Sequence, residues 1–204
     1  MEVLMKKKLL ALSLAAVFLL PTFAAEAAPA TEIAPCFSSL YAGSGMTIEK
    51  DAPVSRAVFA MLTFESFRSI NGGVFPQLSA TNAFLDLGSA PEDVYVLLLY
   101  GLGVVNGVSE TSFAPRRAIT REEACTMLAR ARIRQNPALA TEIEAAKPVF
   151  AVVPDAASVS EWATESAAYI YSLEILPLKD GNFAPKDELT TEEAMLLCSG
   201  FIAA

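Results

Sequence analysis

The chain has 204 residues and contains no histidine. That composition excludes Ser-His and Cys-His nucleophile pairs and the commonest zinc ligand, so any catalysis would rest on carboxylates, Lys or Tyr. The formal net charge of −8 argues against a nucleic-acid partner.

In chain order, the first segment reads as a processing signal. Lys6, Lys7 and Lys8 form a positive n-region, Leu9 to Leu20 is apolar and uncharged, and Ala25-Glu26-Ala27 fits an A-x-A cleavage site. The apolar run is short for a bilayer span. Residues 1–27 are therefore expected to be a signal peptide, and the mature form to have no transmembrane segment. Cys36 lies too far past the apolar run to be a lipid-anchored cysteine. Cleavage would leave the chain one charge more negative, because it removes three Lys and two Glu.

Residues 33–70 hold a first helical unit in reduced form. Phe37 to Tyr41 reads as an abbreviated first helix, and Pro53-Val54-Ser55-Arg56 opens the apolar run Ala57 to Leu62. Residues 71–83 read as a connector. A second unit, residues 84–135, starts at Phe84-Leu85-Asp86-Leu87 and has helices over 92–102 and from Thr120 onward. Residues 136–149 read as a second connector with a helical turn. A third unit, residues 150–202, has helices over 160–173 and from Thr190 onward.

The second and third units are copies. FAPRRAITREEA at 113–124 and FAPKDELTTEEA at 183–194 agree at seven of twelve positions with an offset of 70. Asp86 pairs with Asp155 at an offset of 69. Thr120-Arg121-Glu122-Glu123 and Thr190-Thr191-Glu192-Glu193 are capping boxes: the Thr hydroxyl caps an amide and the Glu returns to the Thr amide. Apolar stripes follow each box, at Ala124, Met127, Leu128 and Ala131 and at Ala194, Leu197, Cys198 and Phe201. Such two-helix units cannot bury their own apolar faces, so the copies are expected to share one core.

Arg116, Arg117, Arg121, Arg130, Arg132 and Arg134 break the acidic trend. They are either a solvated helix face or the one place that welcomes an anion. Cys36, Cys125 and Cys198 are odd in number, match no metal spacing, and leave room for at most one disulfide of unassigned pairing. No metal or cofactor is expected. Lys179-Asp180-Gly181-Asn182 lacks a calcium-ligand series and reads as a turn.

Phe84-Leu85-Asp86, Gly103-Val104-Val105-Asn106-Gly107, Phe113-Ala114-Pro115 and Ile119-Thr120-Arg121-Glu122-Glu123 resemble the S-layer homology repeat. Trp162-Ala163, Phe183-Ala184-Pro185 and Leu189-Thr190 extend the resemblance to the third copy. It implies a mainly α fold of three helix-loop-helix repeats in a pseudo-threefold bundle. It also implies a non-catalytic, exported protein of the cell wall or S-layer. The implied partner is an anionic, pyruvylated secondary cell-wall polysaccharide held in grooves between repeats, with other envelope proteins as further candidates. The family's ligand arginine falls at Arg121 and Arg56, while Thr191 stands there in the third copy. The family's tryptophan falls at Trp162, while Asp93 stands there in the second. One or two competent grooves are the expectation.

Physical chemistry supports an anion near Arg121. The free amides of a helix start and a planar guanidinium both suit a carboxylate. The competing reading pairs Arg121 with a neighbouring glutamate. Asp86 and Asp155 are expected to brace the first helix of their copies, or else to touch sugar. Trp162 either stacks on a sugar or, spaced helically from Ile170, joins the core. Glu123 and Glu193 are capping residues before they are a catalytic pair. Two further functions stay open: a degenerate surface module that packs with proteins, and, least favoured, a carboxylate glycosidase. No cargo domain is recognisable in the sequence, so the expectation is that a partner is anchored or that the protein is itself a wall component.

Overall fold

The computed structural model describes residues 33–44, 49–73 and 83–204. The expected signal peptide and the middle of the first connector lie outside them. The fold is mainly helical, as expected. Helices α1 (Pro35–Ser44) and α2 (Arg56–Ile70) form the first unit, and α3 (Asp93–Gly101) and α4 (Arg121–Gln135) the second. Then come α5 (Ala140–Ala145), α6 (Lys147–Phe150), α7 (Thr164–Ser172) and α8 (Thr191–Ala203).

Each long second helix begins where its sequence says it should. In α8 both bonds of the capping box form: the Glu193 amide donates to the Thr190 hydroxyl at 3.2 Å, and the Thr190 amide donates to Glu193 Oε2 at 2.9 Å. In α4 the Thr120 amide donates to Glu123 Oε2 at 3.1 Å, and the Thr120 hydroxyl is the weaker half. Ser55 alone caps α2, accepting from the Val58 amide at 3.3 Å.

The extended residues before these three helices close a ring. The Val54 amide donates to the Leu189 carbonyl at 2.9 Å, the Leu189 amide to Ile119 at 3.2 Å, and the Ile119 amide to Val54 at 3.0 Å. One step outward, the amides of Arg56, Arg121 and Thr191 donate to the carbonyls of Arg117, Asp187 and Ala52, each at 2.9 Å. Three side chains, Val54, Ile119 and Leu189, fill the centre and are buried. The ring gives the bundle its pseudo-threefold axis and satisfies backbone groups that burial would otherwise strand.

Packing then runs between copies. Helix α2 packs on α3, α4 packs on α7, and α8 packs on α2. Each copy's second helix therefore covers an apolar face supplied by another copy, and one continuous core results. Aromatic clusters repeat as well: Phe84 meets Tyr100 and Phe113 at 4.9 and 5.6 Å, and Phe150 meets Tyr171 and Phe183 at 5.5 and 5.1 Å. Phe84 belongs to the F-x-D element, whereas Phe150 comes from α6. The third copy thus fills the same place from a different element.

Two details depart from the sequence reading, and two helix ends differ from each other. The second connector is helical through most of its length. Asn136 Oδ1 accepts from the Ala138 amide, Pro137 opens a 3₁₀ turn, and Ile143, Ala146 and Phe150 bury an apolar stripe near α7. Helix α7 starts later than expected because Glu161–Ala163 is wound as a 3₁₀ turn. Finally, α3 ends through Gly103 at φ +72°, whereas α7 ends through Glu174 at φ +57°, a position where a side chain is strained.

The three cysteines are free. Burial pushes the Cys125 and Cys198 thiols up to about 12, so both are inert packing residues. No helix among the described residues is long and apolar enough to cross a membrane.

The ring leads to a stability prediction. Ile119→Ala removes a fully buried side chain from the axis and should cost about 2–5 kcal/mol, read by denaturant unfolding. A loss below about 1 kcal/mol would contradict the axial role.

Candidate functional site

The three helix starts place Arg56, Arg121 and Thr191 at equivalent stations around the axis. Arg56 reaches into the second copy. Its Nε donates to the Phe113 carbonyl at 3.0 Å, its Nη2 to the Asn106 carbonyl at 3.3 Å, and its Nη1 lies 3.1 Å from Glu123 Oε1. Arg121 reaches into the third copy, with Nε and Nη2 each 2.7 Å from the carbonyls of Phe183 and Pro177. It is only 1% exposed. Thr191 has the short equivalent, its hydroxyl donating to the Ala52 carbonyl at 3.1 Å. Each arginine also lies over the phenylalanine whose carbonyl it holds, at 4.6 Å for Arg56 and 5.5 Å for Arg121.

Burial pulls both guanidinium pKa values below the ordinary arginine value, and nearby carboxylates offset part of that shift. Glu123 leads for Arg56. For Arg121 the carboxylates are Glu193, Asp187 and Asp155, in that order. In this geometry the two arginines fasten one copy to the next. The competing pairing of Arg121 with a glutamate of its own helix or a neighbour is absent among the described residues; backbone carbonyls take its donors instead.

Asp86 and Asp155 brace a loop and not, as expected, their first helix. Asp86 accepts from the Ser112 hydroxyl at 2.6 Å and from the Phe113 and Ala114 amides at 2.9 and 2.8 Å. Asp155 accepts from the Phe183 and Ala184 amides at 2.7 and 2.8 Å. Ala114 and Ala184 sit at φ +57° and +53°. A carboxylate that collects consecutive amides is what keeps a non-glycine residue in that region. Burial would raise the Asp86 carboxyl, but the Ser112, Phe113 and Ala114 hydrogen bonds outweigh it and hold it below the ordinary value.

Trp162 is 55% exposed and is not a core residue. Its relation to Ile170 by helical spacing fails because it lies in the 3₁₀ turn, where Ala163 takes the buried position. Instead it lines a groove of about 400 Å³ with Arg56, Asn106, Val108, Glu123 and Arg130 among its walls. All three helical units meet there: α2 supplies Arg56, the loop after α3 and helix α4 supply the floor, and the turn before α7 supplies Trp162. Gly107 belongs to the floor by necessity, since a Cβ there would come within 2.3 Å of the Ser109 carbonyl oxygen and 2.6 Å of the Phe84 ring.

The model of the S-layer homology domain matches residues 84–125 and 154–195. The chain carries two S-layer homology domains. No curated protein matches it. S-layer homology domains are non-catalytic modules that anchor proteins to the cell envelope and in general bind cell-wall polysaccharide, which implies association with the cell surface.

Of the sequence-derived candidates, the structure brings Arg56 and Trp162 together in one groove. Arg121 and Asp155 lie at the next station, and Asp86 stands behind the loop that Arg56 holds. Two groove residues escaped the sequence reading as individuals. Arg130 was visible only as one member of the basic cluster, and Asn106 only as part of a turn. Glu122 was missed too. Its carboxylate is buried and accepts from the Ser160 amide and hydroxyl at 2.9 and 3.0 Å and from Lys186 at 2.5 Å, so it fixes the turn that carries Trp162. The signal was the first acid of the T-R-E-E box, which the cap itself does not need.

Glu123 is already committed. It pairs with Arg117 at 2.6 Å as well as with Arg56, and it closes the α4 cap. Burial would raise its carboxyl, but the Arg117 and Thr120 hydrogen bonds and the Arg56 charge hold it below the ordinary value. Among the described residues no cluster of acids and cysteines is arranged for a metal ion.

Asp86 and Glu123 both have depressed folded pKa values, so their contribution is complete above the unfolded carboxylate range, about 4. It is lost as pH falls through the lower folded values. Thermal unfolding should therefore be flat from pH 7 to about 4.5 and fall below that. Asp86→Ala should cost about 1–3 kcal/mol at neutral pH and blunt the acid limb. An unchanged limb would refute the loop-bracing role.

Proposed function

We propose that the protein attaches non-covalently to an anionic secondary cell-wall polysaccharide, one carrying pyruvylated sugars, through the groove shared by Arg56, Arg130 and Trp162. The observation that carries this reading is the exposed indole of Trp162 facing a guanidinium-lined cleft. An aromatic face suits a sugar ring, and a planar guanidinium suits a ketal-linked carboxylate. The helices of residues 33–70 complete the three-unit bundle in this reading, as a degenerate first repeat. Export through the signal peptide read at residues 1–27 would bring the chain to the wall. A net negative chain does not prevent such binding, because salt screens long-range repulsion beyond about 8–10 Å.

A second reading, a surface module that packs with other envelope proteins, is favoured by one observation: Leu85, Val94 and Val108 leave apolar surface exposed on the second copy. The two readings separate in one assay. In sedimentation with purified cell walls, Trp162→Ala should weaken binding by roughly 10- to 100-fold, with thermal unfolding unchanged because the indole is exposed. Chemical removal of pyruvyl groups should weaken the wild type similarly. Undiminished wall binding by Trp162→Ala would sink the groove assignment.

A further inference from the structure

The groove contains two guanidinium groups, and they are not equivalent. Arg56 is held by two carbonyls and is paired with the Glu123 carboxylate. Arg130 has no carboxylate partner among the described residues. With the Asn106 amide oriented so that its nitrogen donates to the Val105 carbonyl at 3.0 Å, its oxygen accepts from Arg130 Nη1 at 3.2 Å. That is a neutral contact on one corner of the fork. Elsewhere Arg68, Arg116 and Arg117 each meet an acid, Arg121 is held by carbonyls, and Arg132 lies over Phe201.

We propose that Arg130 is the residue that recognises charge in the ligand, that it takes a carboxylate on a sugar stacked against Trp162, and that the protein has one such site and not three. This rests on the wall-attachment reading above. Arg130 is half-buried, and burial alone pulls its pKa down, the mark of a cation that has lost water without gaining an anion. An incoming carboxylate would supply the missing partner, and the unoccupied edge of the fork suits it bidentately.

The single-site part follows from the repeat register. An offset of 70 puts Gly200 of α8 where Arg130 stands in α4. An offset of 65, the spacing of Arg56 and Arg121, puts Glu65 of α2 there, and Glu65 is occupied by Arg68 at 2.6 Å. The tryptophan is likewise replaced in the second copy by Asp93, which is buried and paired with Arg116. Thus one station has a cation without a carboxylate partner among the described residues, in a groove that an indole also lines, one has a glycine, and one has the opposite charge.

The test uses the mature chain and purified wall polysaccharide in two forms, native and with its carboxyl groups reduced to alcohols. Titration calorimetry should give one site per chain on fragments short enough to span one groove. Wild type should prefer the native form by roughly 10- to 100-fold, the range for a hydrogen bond to a charged group. Arg130→Gln should bind both forms alike, at the level of wild type on the reduced form, whereas Arg130→Lys should keep part of the preference. Thermal unfolding of each variant checks the fold. If Arg130→Gln still discriminates the two forms, or if two or more sites per chain appear, the inference is overturned while wall attachment stands. If wild type binds neither form, the attachment reading fails and the inference with it.

Discussion

Three backbone hydrogen bonds hold this molecule's architecture together. Val54, Ile119 and Leu189 each donate to one of the others and accept from the third, at 2.9–3.2 Å. A two-helix unit of this size has no core of its own, and each helix start needs partners for its first amides. The ring meets both needs at once. It joins the three extended segments so that every amide just inside a helix start finds a carbonyl in another copy. Stability is therefore shared among copies and cannot be divided into repeats.

Buried arginines extend that joint outward. A guanidinium enclosed in protein is costly unless its donors are met. Arg56 and Arg121 meet them with carbonyls of the loop that follows the first helix of the next copy. Those loops in turn are shaped by Asp86 and Asp155, which hold Ala114 and Ala184 at positive φ. The chain of dependence runs from acid to loop, from loop carbonyl to arginine, and from arginine to the ring. The T-R-E-E motif thus serves the fold first: Thr120 and Glu123 start the helix, Arg121 locks the neighbour, and Glu122 fixes the turn at Ser160. Binding is available only where that locking leaves an edge exposed.

Pseudo-symmetry makes the differences between copies informative. Equivalent backbone positions carry Arg130, Gly200 and Glu65, or Trp162 and Asp93, so the same scaffold presents unlike chemistry at its stations. Repeats that share one core are constrained at their buried positions and are free to diverge at their rims.

Local chemistry was legible in the sequence because it acts over a few residues. The capping boxes at Thr120 and Thr190, the apolar stripes behind them and the offset of 70 announced the helix starts, the repetition and the mainly helical class. Spacing failed at Trp162 because a 3₁₀ turn changes the period, and at Asp86 because its partners are on a loop far along the chain. Nor could spacing separate Arg130 from Arg121: both stand on one helix, and only packing buries one against carbonyls and leaves the other half-open. Which side chains share a groove was decided by closure of the ring, since that long-range pairing brings α2, α4 and the turn before α7 to one place. The sequence by itself determined the units and where each begins. The tertiary structure decided which guanidinium still has an edge to offer, because burial and hydrogen-bond satisfaction are properties of the assembled copies.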